Sequence, residues 1–289
     1  MLNALRHVWR HPLNKEAPLS GLGRFLRWQI ATRLLPDAAV AVPFTDRARL
    51  LITRGMYGAT QNVYCGLNDF PEMSLLLHYL RQGDVFIDGG ANAGAYTVLA
   101  SAGAQAETYA FEPSPKAMES LRSNVELNRI GKHVHLEPYA LGRAAGGVML
   151  QTSGPSAMHH VAVKSSDSSQ AIEMRTIDSY GLCPSIIKID VEGYEAEVLA
   201  GAAETAGRPE LAAIITENSD DSGQYGDGIL SVSSFMHQNG FVPVTYDPWR
   251  REIHMDQRRS DNTIYVRDVE RVRQRVRAAE PFHVFGRSV

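Results

Sequence analysis

Several things are scarce in this 289-residue chain, and each scarcity narrows the reading. Only Cys65 and Cys183 are present, too few for a disulfide framework, so a reducing cytoplasm is the default compartment. No apolar run approaches the ~18–20 residues that a membrane span needs. The first residues lack the apolar core and small-residue cleavage site of a signal peptide. A formal charge of -3 gives no overall excess of cations to draw the chain onto nucleic acid. No internal repeat or long linker interrupts it, and one catalytic domain with terminal decorations is the simplest parse.

The dinucleotide fingerprint G-x-G-x-x-G is missing as well, and what stands in its place is informative. Val85, Phe86 and Ile87 form a short apolar run that stops at Asp88. A glycine-rich turn follows, and Tyr96-Thr97-Val98-Leu99 resumes at helical spacing. Strand, tight turn and helix hold a nucleotide-like ligand at the carboxyl end of a first strand. Counted from the acid, the turn reads Asp88-x-Gly90-x-Asn92-x-Gly94. An acid before the turn repels a pyrophosphate and suits a cationic ligand such as S-adenosylmethionine, which carries an ammonium and a sulfonium. Asn92 stands where many such loops have glycine, and asparagine tolerates a left-handed backbone. An ordinary strand-to-helix turn is the plain alternative. The next strand, Glu107 to Phe111, leads into Glu112, near the ~20-residue offset at which an acid reaches ribose hydroxyls. NAD would explain the second acid and not the first.

Around this centre, strands and helices alternate, the mark of a mostly parallel sheet covered on both faces. Phe70–Leu80, Pro115–Ile130, Gly193–Ala200 and Ile229–Gln238 read as helices; Gly55–Thr60 reads as a loop. His133–Glu137, Pro184–Asp190, Leu211–Glu217, Phe241–Tyr246 and Thr263–Arg267 read as further strands. Residues 143–178 have the short segments and turns of an antiparallel insertion, including His159–Val163 as a strand and Ser165–Ser169 as an exposed loop. The chain divides into a basic arm with short strands (1–60), a cofactor-binding domain (61–267) and a basic C-terminal helix and tail (268–289). In the arm, Arg6, Arg10, Lys15, Arg24, Arg27 and Arg33 face the single acid Glu16. Leu22, Phe25, Leu26, Ile30 and Leu34 suggest one apolar face, suited to the chain's own domain, a second subunit or an anionic membrane surface.

Ligands of open α/β sheets bind beyond the carboxyl ends of the strands. Asp190, closing the strand Ile187-Lys188-Ile189, is the foremost candidate for a general base toward a hydroxyl acceptor; Glu192 and His160 are the other candidates. Asp190 as a helix cap, Glu192 and Glu195 as acids favoured in a helix's first turn, Glu197 as a solvated charge and His159-His160 as filler are the competing structural readings. Asp190 with Glu217-Asn218 also offers an oxygen set of the kind that holds Mg²⁺.

These residues resemble the FkbM-type S-adenosylmethionine-dependent methyltransferases. The resemblance rests on Val85–Thr97, Phe111-Glu112-Pro113, Ala140-Leu141-Gly142, Arg175-Thr176-Ile177-Asp178 and Ile187–Glu195, with Val198–Ala202 after it. It implies a class I methyltransferase fold, a Rossmann-like seven-stranded sheet, and O-methylation of a sugar, glycolipid or polyketide-type small molecule. It further implies that Asp88, Gly90, Asn92 and Gly94 hold the methionine moiety, Glu112 the ribose and the Ala140-Leu141 backbone the adenine. Gly89, Ala91, Tyr96, Thr97, Pro113 and Asp190 complete the expected cofactor site. Gly89 departs from the small β-branched residue usual there, which would loosen the loop. A nucleic-acid methyltransferase is the alternative, but the Asp/Asn-Pro-Pro-aromatic run of amino-group enzymes is represented only by Tyr246-Asp247-Pro248-Trp249, after a later strand. A cofactor-binding scaffold without activity is the remaining alternative.

Overall fold

The structure is a computed structural model and describes residues 2–36, 38–151, 169–217, 231–255 and 262–289. In chain order, helices α1 (Leu2–Arg10) and α2 (Pro18–Leu34) precede the hairpin β1 (Val40–Pro43) and β2 (Arg49–Ile52). Helices α3 (Tyr57–Cys65) and α4 (Phe70–Tyr79) lead to β3 (Val85–Gly89), α5 (Ala95–Val98), β4 (Glu107–Phe111), α6 (Pro115–Asn128) and β5 (Val134–Glu137). Next come β6 (Ala140–Leu141), β7 (Gly146–Gln151), β8 (Ser169–Arg175) and β9 (Ile186–Ile189). Helices α7 (Glu195–Ala200) and α8 (Ala203–Gly207), β10 (Ala213–Glu217), α9 (Val232–Gln238), β11 (Val242–Asp247), β12 (Glu252–His254) and β13 (Asn262–Val266) follow. Helix α10 (Val269–Arg277) and the hairpin β14 (His283–Val284) and β15 (Arg287–Ser288) finish the chain.

The main sheet has eight strands in the order β12-β11-β13-β10-β9-β3-β4-β5. The five from β10 to β5 run parallel, whereas β13 is antiparallel to both β10 and β11. The sequence suggests seven strands; the eighth is β12, paired back onto β11. Its turn is the stretch that faintly matched a nucleic-acid motif. Asp247 Oδ1 accepts from the Trp249 and Arg250 amides at 3.0 and 3.2 Å, so the acid and proline there build a turn.

Side-chain alternation sends Phe86 and Ile186 to one face of the sheet and Ile87, Ile187, Ile189 and Ile214 to the other. The first face is covered by the N-terminal helices with α4, α6 and α10, the second by α7, α8 and α9. Proline marks helix starts: it opens α2, α4 and α6, where its missing N–H costs nothing. Ser231 caps α9 through the Ser234 amide at 3.2 Å, and Gly240 follows with φ +76°.

Two expectations change. The loop expected over 55–60 ends at Met56, because α3 begins at Tyr57. Its buried residues Ala59, Asn62, Tyr64 and Cys65 include a single large side chain, so no apolar stripe announced it. In the arm, Leu22, Phe25, Leu26, Ile30 and Leu34 do not share one inward face. Helix α2 buries Gly21, Phe25, Trp28 and Thr32, whereas Leu26, Ile30 and Leu34 point outward. Asn14 fixes this rotation, since its Nδ2 donates to the Val8 and Tyr64 carbonyls at 2.9 and 3.2 Å and any Cβ on Gly21 would strike it. Within the insertion, β7 and β8 pair antiparallel as expected and β6 joins β8 in parallel; the segments at 159–163 and 165–168 lie outside the described residues, and Ser169, expected to end the loop, opens β8 by pairing with Gln151.

Candidate active site

The glycine-rich loop after β3 is pinned from both neighbouring strands. The Gly90 and Ala91 amides both donate to the Phe111 carbonyl, at 3.0 and 2.9 Å. The Asp190 amide donates to the Gly89 carbonyl at 2.9 Å, joining the loop to the end of β9. Gly90 has φ +79°, and a Cβ there would lie 1.8 Å from the Asp190 carbonyl oxygen. Gly89 is tight too, since a Cβ would meet Leu141 at 3.0 Å and the Lys188 carbonyl at 3.2 Å. Its departure from the family pattern therefore fits a close approach and does not loosen the loop. Asn92 has φ +50°, the left-handed conformation expected of it.

Each acid has defined partners. Asp88 is 1% exposed and accepts from Thr97 Oγ1 at 2.6 Å; burial raises its pKa above the usual carboxylate value, with Lys188 opposing. Glu112 accepts from the Asn92 amide at 2.8 Å with one oxygen and from the Ser114 amide at 2.8 Å with the other. Burial pushes its carboxyl up to about 7, against those two bonds. Each oxygen keeps a lone pair, so the side chain can brace the loop and still receive ligand hydroxyls. Pro113 is half-buried beside it, and Ala140 and Leu141 are buried in β6.

Lysine 188 is the site residue that the sequence reading passed over. It lies in β9 with its side chain 4% exposed, and its Nζ donates to Asp190 Oδ2 at 2.6 Å. Burial alone would lower its pKa, but Asp190, Asp88 and Asp69 more than offset this and raise it. The same ammonium stands 4.8 Å from the centre of the Tyr96 ring. The signal was available: a single cation in the otherwise apolar Ile186-Ile187-Lys188-Ile189, which needs a counter-charge once buried.

Asp69 was missed as well. It sits just before α4, far from the strand tips in sequence, and Tyr96 Oη donates to its Oδ2 at 3.0 Å. Burial raises the Asp69 pKa, with Lys188 opposing and Asp190 adding to it. Asp69 also lines a cavity of about 850 Å³ walled by Phe25, Trp28, Tyr64 and Phe70, with Asn262 on its rim. Asn262 pairs with Glu217, so the cavity lies at the carboxyl end of β10. Asp69 thus links the cavity to the charge cluster through Tyr96 and Lys188.

The loop between β9 and α7 presents Glu192. Both Glu192 and Gly193 are left-handed, with φ +53° and +94°. Glu195, fully buried, holds the loop by accepting from the Val191 and Gly193 amides at 3.3 and 3.0 Å, a more specific job than favouring the helix dipole. Glu192 itself is exposed; partial desolvation, then Glu217, Asp190 and Glu195, push it to about 7. Glu197 is not a solvated charge: Arg143 holds it bidentately at 2.9 and 3.0 Å. Asp178 serves the fold, accepting from the Glu204 and Thr205 amides at 2.9 and 2.8 Å at the start of α8. His159, His160 and Asn218 lie outside the described residues. Of the suggested metal set, Asp190 already has an ammonium on Oδ2, and Glu217 closes β10.

The strand order, with five parallel neighbours and the reversed strand β13 inserted between β10 and β11, is that of a class I methyltransferase, and the acids cluster at the tips of β3, β4 and β9. The sequence profile described as the methyltransferase FkbM domain matches residues 88–243, more than half of the chain. The protein belongs to the FkbM methyltransferase family. Hexuronic acid methyltransferase AglP of Haloferax volcanii is 31% identical over 131 residues, covering 44% of this chain and 53% of that protein. The match thus spans about half the length of that curated relative. Among solved structures, an FkbM methyltransferase of Methylobacillus flagellatus superposes with a TM-score of 0.43 at 13% identity, covering 74% of this chain and 55% of that one. M. jannaschii TYW2 in complex with AdoMet gives 0.38 at 12% identity, covering 80% and 84%.

Proposed function

We propose that the protein transfers a methyl group from S-adenosylmethionine to an oxygen of a small-molecule acceptor, a sugar or sugar-containing compound. The observation that carries this reading is the aromatic-walled cavity joined through Asp69, Tyr96 and Lys188 to the acids at the strand tips. The donor set fits the cofactor. Glu112 has lone pairs left for ribose hydroxyls, the loop from Gly89 to Gly94 keeps side chains out of the cleft, and Asp88 sets a negative field for a cationic ligand. Bound there, the cofactor supplies an electrophilic methyl on a sulfonium. The chain's own residues position and deprotonate. Aromatic walls suit the apolar faces of a sugar ring, and the Asn68 and Gln61 amides on the same cavity suit its hydroxyls. A hexuronic acid acceptor, as in the name of the Haloferax protein, belongs to this chemical class.

Glu192 is the base this reading favours, because it is exposed and its pKa lies near neutrality. Asp190 is held by Lys188 and orients the site. At saturating cofactor, kcat/KM for the acceptor should rise with pH through about 7, falling tenfold per unit below it. Glu192→Gln should lower the plateau by ~10²–10⁴ and flatten that limb; a wild-type pH limb in this variant would remove Glu192 from the role. The same raised carboxyls have a stability consequence. Glu112 and Glu192 hold protons in the fold that the unfolded chain releases from about 4.5 upward, so their contribution to stability declines as pH rises from 4.5 to 7.

Calorimetry and labelled cofactor test the whole reading. S-adenosylhomocysteine should bind and NAD should not, and label should pass to members of a panel of sugars, uronic acids, glycolipids and polyketide aglycones. Glu112→Ala and Asp88→Ala should weaken cofactor binding, whereas Asp190→Asn should spare binding and slow turnover. Binding of NAD in place of S-adenosylhomocysteine would end the proposal.

A further inference from the structure

We infer that the outward face of α2 docks on an anionic lipid surface. The helix has two apolar sides. Gly21, Phe25, Trp28 and Thr32 are buried, while Leu19, Leu26, Ile30 and Leu34 on the opposite side are 76%, 57%, 56% and 73% exposed. At ~100° per residue these four fall within an arc of roughly 80°. Gly23 lies in the same arc, and a Cβ there would meet nothing within 4 Å. Exposed Arg33 borders the strip on one side and exposed Arg27 on the other. Arg27 reaches only the Gly23 carbonyl at 3.5 Å, and Arg33 the Gln29 carbonyl at 2.7 Å and amide oxygen at 3.2 Å. Neither guanidinium meets a carboxylate among the described residues. Glu16, the single acid of this region, is 3.3 Å from Arg287, so Arg6, Arg10 and Lys15 add uncompensated positive charge to the same exposed arm.

A narrow apolar strip bordered by arginines is what a helix lying in a bilayer interface requires: leucines enter the acyl boundary and guanidinium groups reach lipid phosphates. A second copy of the chain fits poorly. The strip is about 22 Å long and ~10 Å wide, roughly 220 Å² per copy, against about 800 Å² per partner in a stable interface. Twofold pairing would also bring bordering arginines together. Because Phe25, Trp28, Gln29 and Thr32 of this helix line the acceptor cavity, docking would bring that cavity close to sugars carried on lipid. The docking itself does not depend on the methyl-transfer reading.

The test is co-sedimentation of the full chain with vesicles of phosphatidylglycerol and phosphatidylcholine, and with phosphatidylcholine alone. The chain should pellet with the mixed vesicles only. Leu26→Gln/Ile30→Gln/Leu34→Gln should reduce the pellet to background, and Arg27→Gln/Arg33→Gln should weaken partition roughly 25-fold. Both variants should keep the wild-type melting temperature and S-adenosylhomocysteine affinity. No pelleting at low salt, or equal pelleting by the triple variant, overturns the inference. So does a wild-type dimer that the triple variant converts to monomer, which would assign the face to a second copy.

Discussion

Gly90→Ala should destabilise the protein by on the order of 3–5 kcal/mol, among the largest effects available to a single methyl group. Two costs add. At φ +79° any L side chain is strained, and the added Cβ would sit 1.8 Å from the Asp190 carbonyl oxygen. That oxygen belongs to backbone at the end of β9, joined to the loop by the Asp190 amide bond to Gly89, so neither partner can swing aside. Separating the two segments would pull β3 from β9 at the proposed cofactor site. Gly83→Ala supplies the control. Gly83 has φ +89° with nothing near its missing Cβ, so alanine there should cost only ~1 kcal/mol. Urea midpoints of the two variants separate the clash from the backbone term. Equal midpoints would mean that the loop and β9 are farther apart than described.

Lys188→Met should be the second severe change, on the order of 3 kcal/mol, the lower end for removing one member of a buried ion pair. The lower end applies because the Asp190 side chain remains 39% exposed and water takes part of the burden. Methionine matches the stem and leaves Asp190, Asp88 and Asp69 without their shared cation. Two measurements follow. Lys188→Met/Asp190→Asn should lose less than the sum of the single changes, because each single change strands a charge that the double removes. Cofactor binding should survive better in the double variant than in Lys188→Met alone. The Lys188 contribution is present throughout the neutral range and is lost only as pH climbs past the usual lysine value, since its pKa in the fold is raised. A Lys188→Met protein with a wild-type midpoint would show that the ammonium is not balancing the cluster.

Much of this molecule could be read before any coordinates. The β3 strand stopping at Asp88, the turn through Asn92 and the β4 strand leading to Glu112 are local patterns. A backbone forced left-handed selects glycine or asparagine, and a strand buried on both faces selects an unbroken apolar run. Alternation of strand and helix then left few topologies, because parallel neighbours need crossovers. Helix α3 escaped because, of its buried residues Ala59, Asn62, Tyr64 and Cys65, only Tyr64 is large, too little to make an apolar stripe. The strand β12 escaped because three residues carry too little periodicity to register.

The sequence by itself determined the individual strands, the glycine-rich loop and the acids at its rim, since each depends on neighbours within a few residues. Only the tertiary structure decided which acids meet Lys188, that Asp69 stands beside Tyr96 across 27 positions of chain, and which side of α2 turns inward. Those outcomes depend on pairwise distances between remote segments, and on the Asn14 amide that locks the helix rotation; a hydrophobic repeat along one helix carries neither. The physical dependence underneath is charge balance in a dry place: one buried ammonium makes several carboxylates tolerable, and a chain equally stable without it would refute that dependence.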